Sequence, residues 1–141
     1  MKIEIKREGD HDLLLPFKAT KGSAGFDLSC VKGFYLEIGE KQMVKCGFSY
    51  NIPDTHCGII KPRSGLAGKK GVDILAGIID SDFRGEVRAI LVNHGNQKLK
   101  FEAGDRIAQM IIVEVPELEF VEVAELYKTD RGDGGFGSTG K

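Results

Sequence analysis

Apolar residues in this chain occur only in short runs, and almost every run is closed by glycine, proline or an Asp/Asn residue. Residues 26–31 stop at Lys32-Gly33, residues 33–38 at Gly39, residues 43–52 at Pro53-Asp54 and residues 56–61 at Pro62. Such punctuation leaves room for no helix longer than two or three turns, since glycine and proline cost about 1 and 3 kcal/mol in a helix interior. Even residues 65–72 are a poor helix candidate, because Gly65, Gly68 and Gly71 weaken it, and residues 66–71 read as a basic, glycine-flanked loop. What remains is a series of strands of four to ten residues joined by turns. Glycine makes this possible by supplying 19 of 141 residues, roughly twice the usual share of about 7%.

The expected strands begin with an edge strand at 2–7, where Ile3 and Ile5 share a side. A loop follows at 9–25. Residues 72–79 read as a hairpin arm, 86–92 and 106–115 as the clearest strands, and 120–123 as the last regular segment. With no crossover helices available, the pattern predicts an all-β sandwich or jelly roll and argues against a doubly wound α/β fold. In the 106–115 strand, Ile107, Ile111, Val113 and Val115 take one parity while Ala108, Met110 and Ile112 take the other. Both faces therefore need cover, from a partner subunit or from long loops of the same chain.

The length suits one domain. Lys and Arg number 20 against 21 Asp and Glu, a formal charge of -1, so no overall field favours stable nucleic-acid binding. No run reaches the roughly eighteen apolar residues of a membrane span, and residues 1–10 lack the apolar core of a secretory signal. The expected compartment is the cytoplasm, with a nuclear or organellar address as the alternative. Cys30, Cys46 and Cys57 form an odd set without zinc spacing, which reads as free thiols.

Five polar, glycine-containing segments interrupt the strands. In the first, residues 24–28, Asp27 lies between Phe26 and Leu28 and on a strand faces away from both; read alone, it is equally an isolated surface carboxylate. In the second, residues 62–67, Arg63 offers a planar fork for phosphoryl oxygens and Ser64-Gly65 a hydroxyl and an open backbone. A structural turn arginine is the alternative. In the third, residues 77–86, Asp80 follows two β-branched residues that restrict its backbone, as a general base requires, while Phe83 could wall a sugar ring. A hairpin turn with solvent-facing charges would look similar. In the fourth, residues 104–110, the Gln109 amide stands amid apolar residues and needs partners, either ligand or backbone; Asp105 and Arg106 read as supports for neighbouring loops. The fifth, residues 131–140, surrounds Phe136 with glycines and adds Ser138 and Thr139. Its composition suits a flexible arm that orders on a nucleotide.

Together AGFDL at 24–28, PRSGLA at 62–67, GIIDSDFRGE at 77–86, GDRIAQM at 104–110 and RGDGGFGSTG at 131–140 resemble, in order and spacing, the five motifs of the trimeric dUTP pyrophosphatase (dUTPase) family. The resemblance covers essentially the whole chain. It implies an all-β, distorted jelly-roll subunit (residues 1–128), a flexible glycine-rich C-terminal arm (residues 129–141) closing a neighbour's site, and a homotrimer with three active sites shared between subunits. It implies hydrolysis of dUTP to dUMP and pyrophosphate with Mg²⁺ as cofactor, a reaction that limits uracil incorporation into DNA and supplies the dTMP precursor. By the same resemblance Asp27 holds the ion through a water, and Arg63, Ser64 and Gly65 grip the phosphates. Asp80 deprotonates the attacking water, and Gln109 holds that water or an α-phosphoryl oxygen. Ile74, Leu75, Ala76, Gly77, Ile78 and Ile79 form the uracil-reading hairpin, acting chiefly through main-chain groups. Arg131, Phe136, Gly137, Ser138 and Thr139 come from the arm.

Two positions depart from the family pattern, with Phe26 and Phe83 standing where tyrosine is usual. Phe83 keeps a stacking ring under the deoxyribose but lacks a phenol. The readings in competition are a dCTP deaminase, alone or bifunctional, and a catalytically idle nucleotide sensor. Asp80 and the aromatic arm favour plain dUTP hydrolysis over the first, and the complete polar set of Asp27, Asp80, Gln109 and Arg131 over the second.

Overall fold

The computed structural model describes residues 1–135 and 137. Its strands are β1 (Glu4–Arg7), β2 (Phe26–Ser29), β3 (Phe34–Leu36), β4 (Lys41–Lys45), β5 (Phe48–Asn51), β6 (His56–Lys61), β7 (Val72–Leu75), β8 (Ile78–Ile79), β9 (Arg88–Asn93), β10 (Leu99–Phe101) and β11 (Arg106–Glu114), with helix α1 (Ser64–Lys70) between β6 and β7. A four-stranded sheet, β2-β11-β6-β8, and a three-stranded sheet, β4-β9-β7, are joined by the pairs β1-β5 and β10-β3. All these pairings are antiparallel. The result is the expected all-β sandwich of jelly-roll type.

Alternation places the core. In β9 the pattern buries Ala89, Leu91 and Asn93 on one parity while Arg88 faces water. Leu28, Cys30, Leu36, Phe48, Ile60, Val72, Val87, Ile107 and Met110 complete one continuous cluster. Burying each aliphatic or aromatic side chain contributes about 1.5 to 3 kcal/mol, so this cluster is the main support for every loop of the site. The polar Asn93 is tolerated inside because Nδ2 donates to the carbonyls of Leu36 and Gln97 and Oδ1 accepts from Gly95 N–H. The three thiols are free. Burial pushes the Cys46 thiol up to about 12, which keeps it protonated and unreactive at neutral pH.

Four local expectations are corrected. Residues 64–70 form a helix where a loop was expected: Gly71 caps it in a left-handed conformation at φ 71°, and its N–H bonds back to Ala67 O. Leu66 also packs against the core, so tertiary contacts outweigh the glycine penalty. Residues 99–101, expected within a polar connection, pair with β3, where Phe34 and Phe101 stack 4.7 Å apart. Residues 120–123 are not a strand; after Val115 N–H bonds to Thr55 O the described residues contain no further helix or strand. Finally, a bulge between Arg106 and Ala108 breaks the expected parity, so that Ile107 and Ala108 are both buried. Beyond it Met110 points into the core, while Gln109, Ile111 and Val113 lie on the opposite, half-covered face.

Candidate active site

The register of β11 builds the centre of the site. Gln109 lies opposite Asp27 of β2 on one side and opposite Lys61 of β6 on the other. Directly opposed residues in an antiparallel pair share a face, so three separate segments present one row of polar side chains. Lys61 leads through Pro62 to Arg63, whose guanidinium folds back over the row. Arg63 Nε donates to Asp27 Oδ1 at 3.1 Å, and Arg106 Nη1 donates to Asp27 Oδ2 at 2.9 Å. The Asp27 side chain is only 10% exposed. Two charge-assisted hydrogen bonds on one nearly buried carboxylate fix its direction.

Gln109 is tied to the protein on one side, where Nε2–H donates to Pro62 O at 2.9 Å. This ties the fourth segment to the second. Gly25 backs the same amide: a Cβ there would stand 2.7 Å from Gln109 Oε1 and 3.2 Å from Gln109 Cβ. The Gln109 amide therefore has one position, set by Pro62 in front and Gly25 behind.

Ser64 and Gly65 open α1 and are exposed, and the N–H groups of a helix's first turn have no intrahelical acceptors. They lie beside Arg63, so a hydroxyl, free amides and a guanidinium converge where phosphoryl oxygens could bind. Among the described residues no group of three or more His, Cys, Asp or Glu side chains is gathered that could hold a metal by itself. The single carboxylate of Asp27, beside the exposed start of α1, fits Mg²⁺, which keeps several waters and takes much of its coordination from substrate phosphates. Asp27 suits a contact through water, because each of its oxygens retains acceptor capacity beyond its one arginine bond.

The hairpin expected to read a base has an unusual construction. Its arms β7 and β8 are joined by Ala76 and Gly77 but do not pair with each other; β7 bonds to β9 and β8 to β6, in different sheets. Each arm is the edge strand of its sheet, with one side that pairs with no strand; on β7 the Ile74 N–H donates to Asp73 Oδ1 at 2.7 Å. The turn between them is strained, with Ala76 at φ 57° and Gly77 at φ 104°. Gly77 is also pinned: its carbonyl accepts from Ile60 N–H at 2.7 Å, and a Cβ on it would stand 2.8 Å from Ile60 O. Strain held this firmly is characteristic of binding sites.

Asp80 is not near this row. It follows Ile79, whose partner on β6 is Gly58, and Arg63 lies two residues beyond the far end of β6, about 16 Å of extended chain from Gly58. Asp80 is exposed, and its carbonyl accepts from Phe83 N–H in a turn. Arg131 is exposed too and donates to Gly134 O within its own segment. Of the arm residues, Phe136, Ser138 and Thr139 lie outside the described residues. One chain thus gathers Asp27, Arg63, Gln109 and the start of α1 at one end of β6, and carries Asp80 and Phe83 toward the other.

Two participants were not among the expected site residues. Arg106 grips Asp27, which its charge alone could not reveal because its partner is distant in sequence. Lys61 shares the row through register.

The dUTPase family model matches residues 12–140. A deoxyuridine 5'-triphosphate nucleotidohydrolase of Nautilia profundicola is 43% identical over 143 aligned residues, covering 100% of both chains. Among solved structures, the dUTPase of Staphylococcus bacteriophage 80alpha with dUPNHPP superposes with a TM-score of 0.91 at 25% identity, covering 99% of each chain. A variant dUTPase from phage phi11 of S. aureus, whose structure reveals coordination of a structural Mg(II) ion, shares the fold with a TM-score of 0.83 at 21% identity, over 91% of this chain and 100% of that one.

Proposed function

The chain belongs to the dUTPase family and hydrolyses dUTP to dUMP and pyrophosphate; from that premise we propose a division of labour in which its two distant groups of site residues meet across subunits of a homotrimer. The observation that carries this is the separation along β6. Asp80 follows Ile79, which pairs with Gly58, while Arg63 lies beyond the other end of β6, five residues or about 16 Å of extended chain further on; this separation supports a site that draws the two from different chains.

In this reading Arg63, with Ser64 and Gly65, binds the phosphate chain, and Asp27 orients Arg63 and would hold Mg²⁺ through water. The ion, when bound, would supply positive charge against the negative charge that builds on the phosphates during displacement. Asp80 of a neighbouring subunit accepts the proton of a water attacking the α-phosphorus, which Gln109 helps to orient. Pyrophosphate is the leaving group, and Arg131 with Phe136, Gly137, Ser138 and Thr139 of an arm (residues 129–141) closes over it. The unpaired sides of β7 and β8, residues 74–79, read uracil by main-chain bonds; cytosine would set donor against donor at a cost of about 1 to 3 kcal/mol per unpaired group. The ring of Phe83 faces the deoxyribose.

Surfaces left uncovered by one chain support assembly. Leu118, Phe120, Val121 and Leu126 project from residues 116–127 and are 71–97% exposed. Beside β1 an apolar groove of about 590 Å³ is lined by Ile3, Ile5, Phe26 and Ile112, and at its wall the buried Tyr50 hydroxyl has no partner among the described residues.

A panel of deoxynucleoside triphosphates with Mg²⁺, scored for pyrophosphate and ammonia, tests substrate and chemistry together. Pyrophosphate from dUTP alone, without ammonia from dCTP, is the expected result. In isotopically heavy water the label is expected in dUMP; label in pyrophosphate would mean that a different phosphorus is attacked. The G25A variant tests Gln109. Its added methyl displaces the amide from Pro62 O, and kcat/KM is expected to fall about tenfold or more, as misplacement of a positioned group commonly causes. An unchanged kcat/KM would remove Gln109 from the mechanism.

A further inference from the structure

Phe83 lies in the turn between β8 and β9 with 43% of its surface exposed, and no phenol is present to tether the ring. Gly85 stands against the ring's far edge. A Cβ at Gly85 would lie 2.6 Å from Phe83 Cζ and 3.0 Å from Cε2. The φ of Gly85 falls outside the left-handed region, so alanine is compatible with the backbone there. What demands glycine is the ring.

The chain after Gly85 is anchored and does not yield. Glu86 accepts Gly47 N–H at 3.1 Å and pairs with Lys45 Nζ at 3.1 Å. Val87 is fully buried; its N–H donates to Phe48 O and its carbonyl accepts from Cys46 N–H. Before it, Arg84 Nη1 donates to the carbonyls of Ser81 and Phe83, closing the turn. The ring, by contrast, borders an open groove with Met43, Ile79 and Ile90. A methyl group added at position 85 is therefore accommodated by the ring, which must shift by about 1 Å to restore carbon contacts of about 3.5 Å.

We propose that Gly85 is a positioning residue for substrate binding: by leaving space against the para edge of Phe83 it sets where that ring meets the sugar. The proposal rests on the reading of Phe83 as the deoxyribose wall. Gly85 itself touches no substrate. Its effect passes wholly through the ring, and this separates it from a glycine kept for folding.

The test is steady-state kinetics with dUTP on wild type, G85A, F83A and the double variant, with thermal unfolding of each as a check on folding. G85A is expected to raise KM about tenfold and to leave kcat within about threefold, because the ring moves and Asp80 does not. In the F83A background the same substitution is expected to add nothing, since contacting residues are non-additive when one acts through the other. An equal KM rise in both backgrounds, or none beside Phe83, overturns the proposal. If F83A leaves KM unchanged, the sugar-wall reading falls and takes this proposal with it; if F83A raises KM while G85A is silent, only the role of Gly85 is lost.

Discussion

D80N is expected to lower kcat for dUTP by about 10³-fold, while KM stays within about threefold, since a positioned general base contributes roughly 10² to 10⁴. Asparagine keeps the size of the side chain and can still hold a water, but it cannot take the proton. The site should therefore bind substrate normally and fail at the chemical step. Asp80 is well placed for that duty, because β8 immediately before it is hydrogen-bonded to β6 and the turn after it is closed by Phe83 N–H on Asp80 O. Asp82 lies in the same turn and is also exposed; D82N is the matched control and should leave kcat unchanged. A loss below tenfold in D80N, or an equal loss in D82N, would show that another group accepts the proton.

Mixing two inactive proteins is expected to restore activity. One is full-length D80N; the other ends at Asp130 and lacks the arm. If base and arm at each site come from different subunits, random trimers at equal mixing complete about a quarter of their sites, the product of two independent one-half chances. The signal would rise from near zero to about a quarter of wild type, provided the chains are co-refolded so that trimers reassort. If both groups came from one chain, no mixed trimer would hold a complete site. Near-zero activity in verified mixed trimers is thus the result that defeats the shared site.

The strand-rich class was legible because it depends on local facts. The alternation in residues 88–93 and the turn residues after 31, 38 and 52 are visible to a reader who knows nothing of distant contacts. The elements misread are those whose stability comes from elsewhere. Helix α1 contains two glycines after Ser64 and looks unfavourable by propensity; its capping by Gly71 and the packing of Leu66 reverse the outcome. Strand β10 is only three residues long and acquires its identity from β3 and the stack of Phe101 on Phe34. Residues 120–123 have a strand's composition but pair with no strand among the described residues.

The site divides in the same way. Asp27, Arg63, Asp80 and Gln109 stood out as chemically capable residues in four of the five glycine-containing segments, and the order of those segments along the chain pointed to the family. Arg106 did not stand out, because an arginine acquires a role only from what it touches, here a carboxylate 79 positions away in sequence. Nor could residues 72–79 reveal that the two arms of their hairpin belong to different sheets.

The sequence by itself determined which segments extend, where they turn, and which side chains are available for phosphate, base and proton transfer, since those properties reside in single residues and near neighbours. Only the tertiary structure decided that Asp27, Gln109 and Lys61 form one row, that two arginines hold the carboxylate, and that Asp80 lies a strand's length away. The reason is register: hydrogen bonding between strands far apart in the chain selects which residues share a face. A bulge or a one-residue shift, invisible in local composition, changes every such neighbour.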